Sequence, residues 1–251
     1  MNLFYLDHDP VLAARWHVDK HTVKMPLESC QMLSTAHRLL DGELMTITTP
    51  RRRKLYVLRG ETVTIGVDGL VRVDGQQCYA ASHVNHPTTR WTMATRDNYE
   101  FHVQFLLELL DEYKRRYGRT YRSAETVLPF LRYPPRNLTA RGFTPPPQAM
   151  PDCYKVADVV ESYRNYYAGS KWRFAKWKHG DVPPWYLDRV RRVWVLGDPA
   201  TRAVDAEKFL SRKKSPAEES VTTLVRNLHE LYGTPDTVRA LSKTFKASAV
   251  L

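Results

Sequence analysis

The alternation of apolar and polar positions divides the chain into three long helical stretches, a β-rich insertion and proline-rich connections. From Val11 to about Leu40, the apolar residues Val18, Met25, Met32, Ala36 and Leu40 fall on one side of a helix. The other side carries His17, Lys20, His21, Lys24, Glu28 and Gln31, which at about 100° per residue share roughly a third of the circumference. Residues 2–6 read as a short strand or extended entry, and Asp9-Pro10 as a turn or helix start. Pro26 lacks an amide hydrogen and predicts a kink or a split into two helices. Over residues 41–82, Thr, Val and Ile become common. Val67-Asp68-Gly69-Leu70 and Val73-Asp74-Gly75-Gln76 predict the turns of a small β-hairpin or meander inserted between helices.

A second helix is predicted from Pro87, a favoured first-turn residue, to Gly118, a C-terminal stop. Phe101, Phe105, Leu106, Leu109, Leu110 and Tyr113 supply its buried side, and Lys114, Arg115 and Arg116 complement the negative end of its dipole. Just before it, His86 and Asn85 read as the helix cap rather than, with His83, as a metal site. Pro129, Pro134-Pro135 and Pro145-Pro146-Pro147 exclude a helix running through residues 129–151. A third helix follows from about Val156 to Trp177. Tyr163, Tyr167, Phe174 and Trp177 face its core, and Arg164, Lys171 and Lys178 face phosphate or water. Residues 215–233 predict an amphipathic helix bearing Val221, Leu224, Leu228 and Leu231, and Asp236 to Ala247 a last short one. The fold class is therefore mainly α: three long helices (11–40, 87–117 and 156–177) bundled in a single domain over residues 1–187, with a β insertion at about 41–82. A helical extension covers 188–251.

Composition adds a partner class. The 251 residues carry 38 Lys and Arg against 27 Asp and Glu, a formal net charge of +11, and such a surface attracts polyphosphate. Nucleic acid is the leading partner, with the run Arg51-Arg52-Arg53-Lys54 a backbone contact or a solvated loop. The three cysteines, Cys30, Cys78 and Cys153, form no CxxC pair, and neither a signal peptide nor a membrane span is read. A soluble, cytoplasmic protein with no membrane partner is expected. No phosphate-binding glycine loop, GxSxG, HExxH or zinc-deaminase signature occurs, so no metal or cofactor is called for.

The polar stripe is the main candidate for chemistry. A single carboxylate, Glu28, stands among bases whose charges set its behaviour, although Lys24 and Glu28 also suit an ordinary exposed ion pair. Aromatics interleaved with bases between Tyr163 and Trp177 suit stacking on an unpaired base.

Four motifs resemble one family. M-N-x-F at 1–4, D-K-H-x-x-K-M-x-x-E-x-x-Q at 19–31, N-H-P-x-x-x-W at 85–91 and E-Y-x-R-R-Y-G at 112–118 look like the pyrimidine-dimer DNA glycosylase superfamily, which includes the bacteriophage endonuclease V type. The resemblance covers roughly residues 1–40 and 83–187 and implies a DNA glycosylase with lyase activity, in bacterial or phage-infected cytoplasm. It implies that the α-amine of Met1 attacks C1′ of an extruded pyrimidine nucleotide while Glu28 serves as acid/base or electrostatic stabiliser. An α-amine is neutral more readily than a lysine, and the bulk of Asn2 should hinder removal of the methionine. His17, Lys20, His21, Lys24, Gln31, His86, Arg164 and Lys171 are the nucleic-acid-binding candidates. Leu27 and Gln31 stand where the family carries arginines, so Lys20, His21 and Lys24 take the phosphate role. Two other readings stay open: a phage-type transferase in thymine hypermodification of DNA, and a nonenzymatic nucleic-acid-binding module.

Overall fold

The computed structural model describes residues 1–48 and 52–194, together with Thr223 and Arg226. Arg51, the helix expected at 236–247, all but Thr223 and Arg226 of the one expected at 215–233, and most of the 188–251 extension lie outside the described residues. The chain forms two compact units. The first comprises Met1–Leu3 and Thr22–Ala149, the second Phe4–His21 and the described residues from Met150 onward. Among the described residues, secondary structure is mainly helical, with two small two-stranded antiparallel sheets.

The first helical stretch is two helices, but the break is not at Pro26. Helix α1 (Pro10–Arg15) opens as expected, with Asp9 accepting the Val11 N–H at 2.9 Å and Pro10 in the first turn. Helix α2 (Asp19–Asp41) runs through Pro26. The interruption at residues 16–18 is stabilised by long-range partners within the second unit. The Val18 N–H donates to the Tyr167 hydroxyl and the Asp19 N–H to the Lys176 carbonyl, both at 2.8 Å. These bonds satisfy amides that a helix start otherwise orphans.

In the first unit, α2 buries Cys30, Leu33 and Ala36 against Tyr99, Val103, Leu106, Val127 and Leu131. The insertion consists of two separate hairpins rather than a meander. Strand β1 (Glu43–Thr48) pairs with β2 (Arg52–Val57), Glu43 opposite Val57. Strand β3 (Thr62–Ile65) pairs with β4 (Val71–Asp74), Val63 opposite Val73 and Ile65 opposite Val71. The turn expected at 67–70 joins β3 to β4, and Gly75 at φ +72° ends β4 without a further strand.

One buried arginine ties the insertion to α2. Arg38, 2% exposed, donates to the carbonyls of Tyr79 (3.0 Å), Tyr56 (2.9 Å) and Cys78 (2.8 Å) and forks onto Glu61, with 2.7 Å to Oε1. Glu61 in turn accepts the Leu58 N–H at 2.9 Å.

The predicted 87–117 helix is also divided, into α3 (Pro87–Thr92) and α4 (Arg96–Tyr117). Thr95 adopts an extended backbone and caps α4 through the Asn98 N–H at 3.1 Å, a start signal that a continuous helix would waste. Gly118 ends α4 at φ +63°, as expected. Glu112 pairs with Arg115 and Arg116, so part of the basic C-terminal turn is internally compensated. Two short helices follow, α5 (Arg122–Glu125) and α6 (Leu128–Leu131). No helix runs through residues 129–151, as expected; α6 only enters them, with Pro129 in its first turn, where its missing N–H forfeits no bond. Beyond α6 the chain is an irregular strap. Buried Asn98 holds it, accepting the Thr144 N–H at 2.9 Å and donating to Thr144 Oγ1 at 3.0 Å.

In the second unit the third helix is shorter than predicted. Helix α7 (Val159–Ser170) starts at its cap Asp158, and a 3-10 turn, Trp172–Phe174, replaces its last portion. Helix α8 (Tyr186–Trp194) completes the described part. Tyr163, Tyr167, Trp177 and Tyr186 are buried.

Candidate functional site

Chain termini usually fray. In the first unit, the first two residues are instead fixed in the interior. Asn2 is buried, its Nδ2 donating to the Ala149 carbonyl at 3.0 Å and its Oδ1 accepting the Leu3 N–H at 2.8 Å. Ala149 closes a turn on Pro147 at the end of the strap that Asn98 anchors. The three consecutive prolines therefore act as a stiff arm holding the terminus.

Glu28, 8% exposed on α2, meets that terminus. Its Oε2 lies 3.8 Å from the Met1 α-amine and accepts the Asn2 N–H at 3.3 Å, while its Oε1 pairs with Lys24 Nζ at 2.7 Å. The carboxylate is thus aimed by three groups, two of them cationic. Lys24 keeps most of its stem in solvent, so this pair joins an exposed charge to a buried one. The Lys24–Glu28 pairing is the i, i+4 contact expected from spacing, but the burial of Glu28 distinguishes it from an ordinary surface pair.

His86 extends the cluster as the N-cap of α3. Its Nδ1 accepts the Thr88 N–H at 3.2 Å, which assigns the proton of the neutral ring to Nε2 and makes that nitrogen a donor. Burial pushes the imidazole below its ordinary pKa, the Met1 ammonium and His83 push the same way, and Glu28 opposes them. Gln31, one turn beyond Glu28, is half-buried. The structure therefore brings Met1, Lys24 and Glu28 into contact, with His86 within their electrostatic reach.

Comparison with protein-family models, curated proteins and solved structures returns no match.

The remaining candidates belong to the second unit. His17 is not on the α2 stripe. It lies in the break before α2, fully buried, with Nδ1 2.6 Å from the Ala13 carbonyl. His21 is buried as well, bonded to the Tyr167 hydroxyl at 2.8 Å and stacked on Phe4 at 4.2 Å. Lys20 is exposed, its ammonium 4.9 Å from the Phe174 ring centre. Lys171 donates to the Tyr166 hydroxyl at 2.9 Å and lies over that ring at 4.3 Å.

Arg164 does not face phosphate or water. It donates to the Leu6 carbonyl at 2.9 Å, pairs with Asp7 at 2.8 Å and Glu161 at 3.3 Å, and covers the rings of Trp16 and Trp185. The guanidinium is consumed by Glu161 on the same helix and by partners far away in sequence.

Two residues of the cluster have parts that sequence reasoning did not give them. Asn2 supplies the N–H that orients Glu28, and His83, at φ +50°, holds a strained turn beside His86 whose carbonyl accepts the His86 N–H at 2.9 Å. The position of Asn2 directly after the proposed nucleophile was the available signal. Among the described residues, no three His, Cys, Asp or Glu side chains converge as metal ligands, and no helix is long and apolar enough to cross a membrane.

Proposed function

We propose that this chain is a DNA-acting enzyme working on a pyrimidine nucleotide by imine chemistry, in the manner of a glycosylase/AP lyase. The observation that carries the reading is the buried apposition of the Met1 α-amine and the Glu28 carboxylate, 3.8 Å apart. A neutral α-amine adds to C1′ as the glycosidic bond breaks, and the base leaves with that electron pair and gains a proton. Loss of the amine proton and opening of the sugar ring then give a protonated imine. Glu28 stabilises the cationic sugar and can take the C2′ proton as the 3′ phosphate leaves. Hydrolysis of the imine restores the amine. The Nε2–H of His86 supplies a hydrogen-bond donor, and exposed Lys24 can meet a flanking phosphate. The net charge of +11 supports a polyanionic substrate. The four sequence motifs point the same way.

Sodium borohydride trapping tests the reading, on duplexes carrying a thymine dimer, an abasic site or 5-hydroxymethyluracil. A reduced adduct on a modified pyrimidine, mapping to Met1 and abolished by a residue added upstream of Met1, is expected. No adduct with intact DNA binding would remove the imine mechanism and leave the thymine-modifying transferase or the binding module.

A further inference from the structure

Within the first unit, residues of α2, of both hairpins and of the segment after β4 line a cavity of about 230 Å³. Its frame is set by one guanidinium. Arg38, which lines the cavity, uses all five of its N–H donors, on the carbonyls of Tyr56, Cys78 and Tyr79 and twice on Glu61. Tyr56 lines the cavity from β2, and Ala80, which also lines it, directly follows Tyr79. A single buried side chain therefore holds both stretches of wall. Glu61 adds the Leu58 N–H at 2.9 Å and the Gln77 N–H at 3.4 Å, which ties the ends of β2 and β4 to the same group. The space is preformed rather than opened by a ligand.

The lining is mostly apolar. Leu55, Val73, Ala81 and Val84 are half-buried in it, whereas the polar additions Lys54 and Gln76 are exposed. No Asp or Glu is among its described lining residues, and no carboxylate pairs with Lys54 among the described residues. Glu61 cancels the charge of Arg38. Lys54 is thus the one uncompensated charge in the lining, and it is positive. A cationic ligand is repelled there, a neutral one gains nothing from it, and a single negative charge matches it. Size narrows the class further. Sites for drug-sized ligands run to about 300–1,000 Å³, so this one has room for a ring and a short substituent rather than for a nucleotide.

We propose that this cavity binds a small free carboxylate of single-ring size, with its apolar body against Leu55, Val73 and Val84 and its charge at Lys54. The Gln76 amide supplies a second donor at the exposed side. Val84 lies inside the turn that the His86 N–H closes on the His83 carbonyl at 2.9 Å, so the bound molecule touches the segment that carries His86. The proposal stands apart from the imine reading.

The test titrates the isotopically labelled full chain with benzoate, with its neutral isostere benzamide and with benzylamine, followed by amide nuclear magnetic resonance. Benzoate should shift the Val73, Ala81 and Val84 resonances saturably. Benzamide should bind roughly fivefold more weakly, the increment of one partly exposed charge pair, and benzylamine more weakly still. Lys54→Met should bring benzoate to the level of benzamide, and Ala80→Leu should fill the space and abolish the shifts; both positions are exposed. No saturable shift with benzoate, or shifts confined to other residues, would overturn the site. Equal binding of benzoate and benzylamine, or unchanged benzoate binding by Lys54→Met, would overturn the assignment of an anion. Displacement of benzoate by a DNA duplex would overturn the free carboxylate in favour of a nucleic-acid phosphate.

Discussion

Replacing Arg38 with methionine should release the β insertion from α2. The side chain makes four kinds of contact at once, with Glu61 and with the carbonyls of Tyr56, Cys78 and Tyr79. Methionine fills much of the volume but donates nothing. Glu61, whose side chain is as buried as that of Arg38, then keeps only amide donors such as the Leu58 N–H. Removing one partner of a buried pair costs about 3–5 kcal/mol, and orphaned carbonyls add to it. At about 2–4 °C per kcal/mol for a chain of this size, a loss of about 4 kcal/mol lowers the melting temperature by roughly 8–16 °C. The double variant Arg38→Met/Glu61→Leu should recover at least about 1.5 kcal/mol relative to the sum of the single changes, because no charge is stranded. It should remain below wild type because the three carbonyls still lack a donor. Urea unfolding followed by far-UV circular dichroism measures all four corners of the cycle. A single-variant loss below about 1 kcal/mol, or strictly additive effects, would refute a buried, coupled pair.

Three further outcomes follow from the same contacts. On the imine reading, Glu28→Gln should slow borohydride-trappable imine formation by about a hundredfold or more while changing duplex affinity little, because Lys24 beside it keeps its charge; equal rates would assign Glu28 a purely structural role. Burial pushes the pKa of His37 down to about 4 and that of His102 to about 3, from an ordinary 6.5. Unfolded chains therefore bind protons first, so stability is complete above about pH 6.5 and is lost as pH falls toward 4, by about 2–3 kcal/mol per histidine; a urea midpoint constant across that window would contradict it. Arg164→Gln should cost about 2 kcal/mol of stability yet leave the salt dependence of DNA binding unchanged, whereas Lys24→Gln should reduce that slope by about one; a reduced slope for Arg164→Gln would restore it as a phosphate contact.

Local rules recovered what local physics decides. Asp9-Pro10, His86-Pro87 and Gly118 were legible because a cap acts within a few residues of itself, and the Lys24–Glu28 contact follows from helical spacing alone. The break before α2 was not legible, since the Tyr167 hydroxyl and Lys176 carbonyl that receive its amides lie about 150 residues away along the chain. The same distance hid the role of Arg164, whose partners Leu6 and Asp7 carry no local sign of it. The proximity of Met1 to Glu28 entered the sequence reading through family resemblance alone, because no periodicity relates an extended terminus to a helix face. Thr95 is different: its capping role was open to local reading, and the apolar rhythm running across it masked the signal.

The bond between Asn2 and Ala149 also sets an order of events during synthesis. Asn2 depends for its place on a residue made 147 positions later. At ribosomal speeds of about 5–20 residues per second, roughly ten seconds or more separate the two. Until the proline strap emerges and closes, the amino group has no fixed seat beside Glu28, so on the proposed imine reading a nascent chain would carry the nucleophile without the site that directs it. On that reading, activity should switch on with completion of the first unit, and an unfinished chain would be spared stray imines on the sugars or aldehydes it meets.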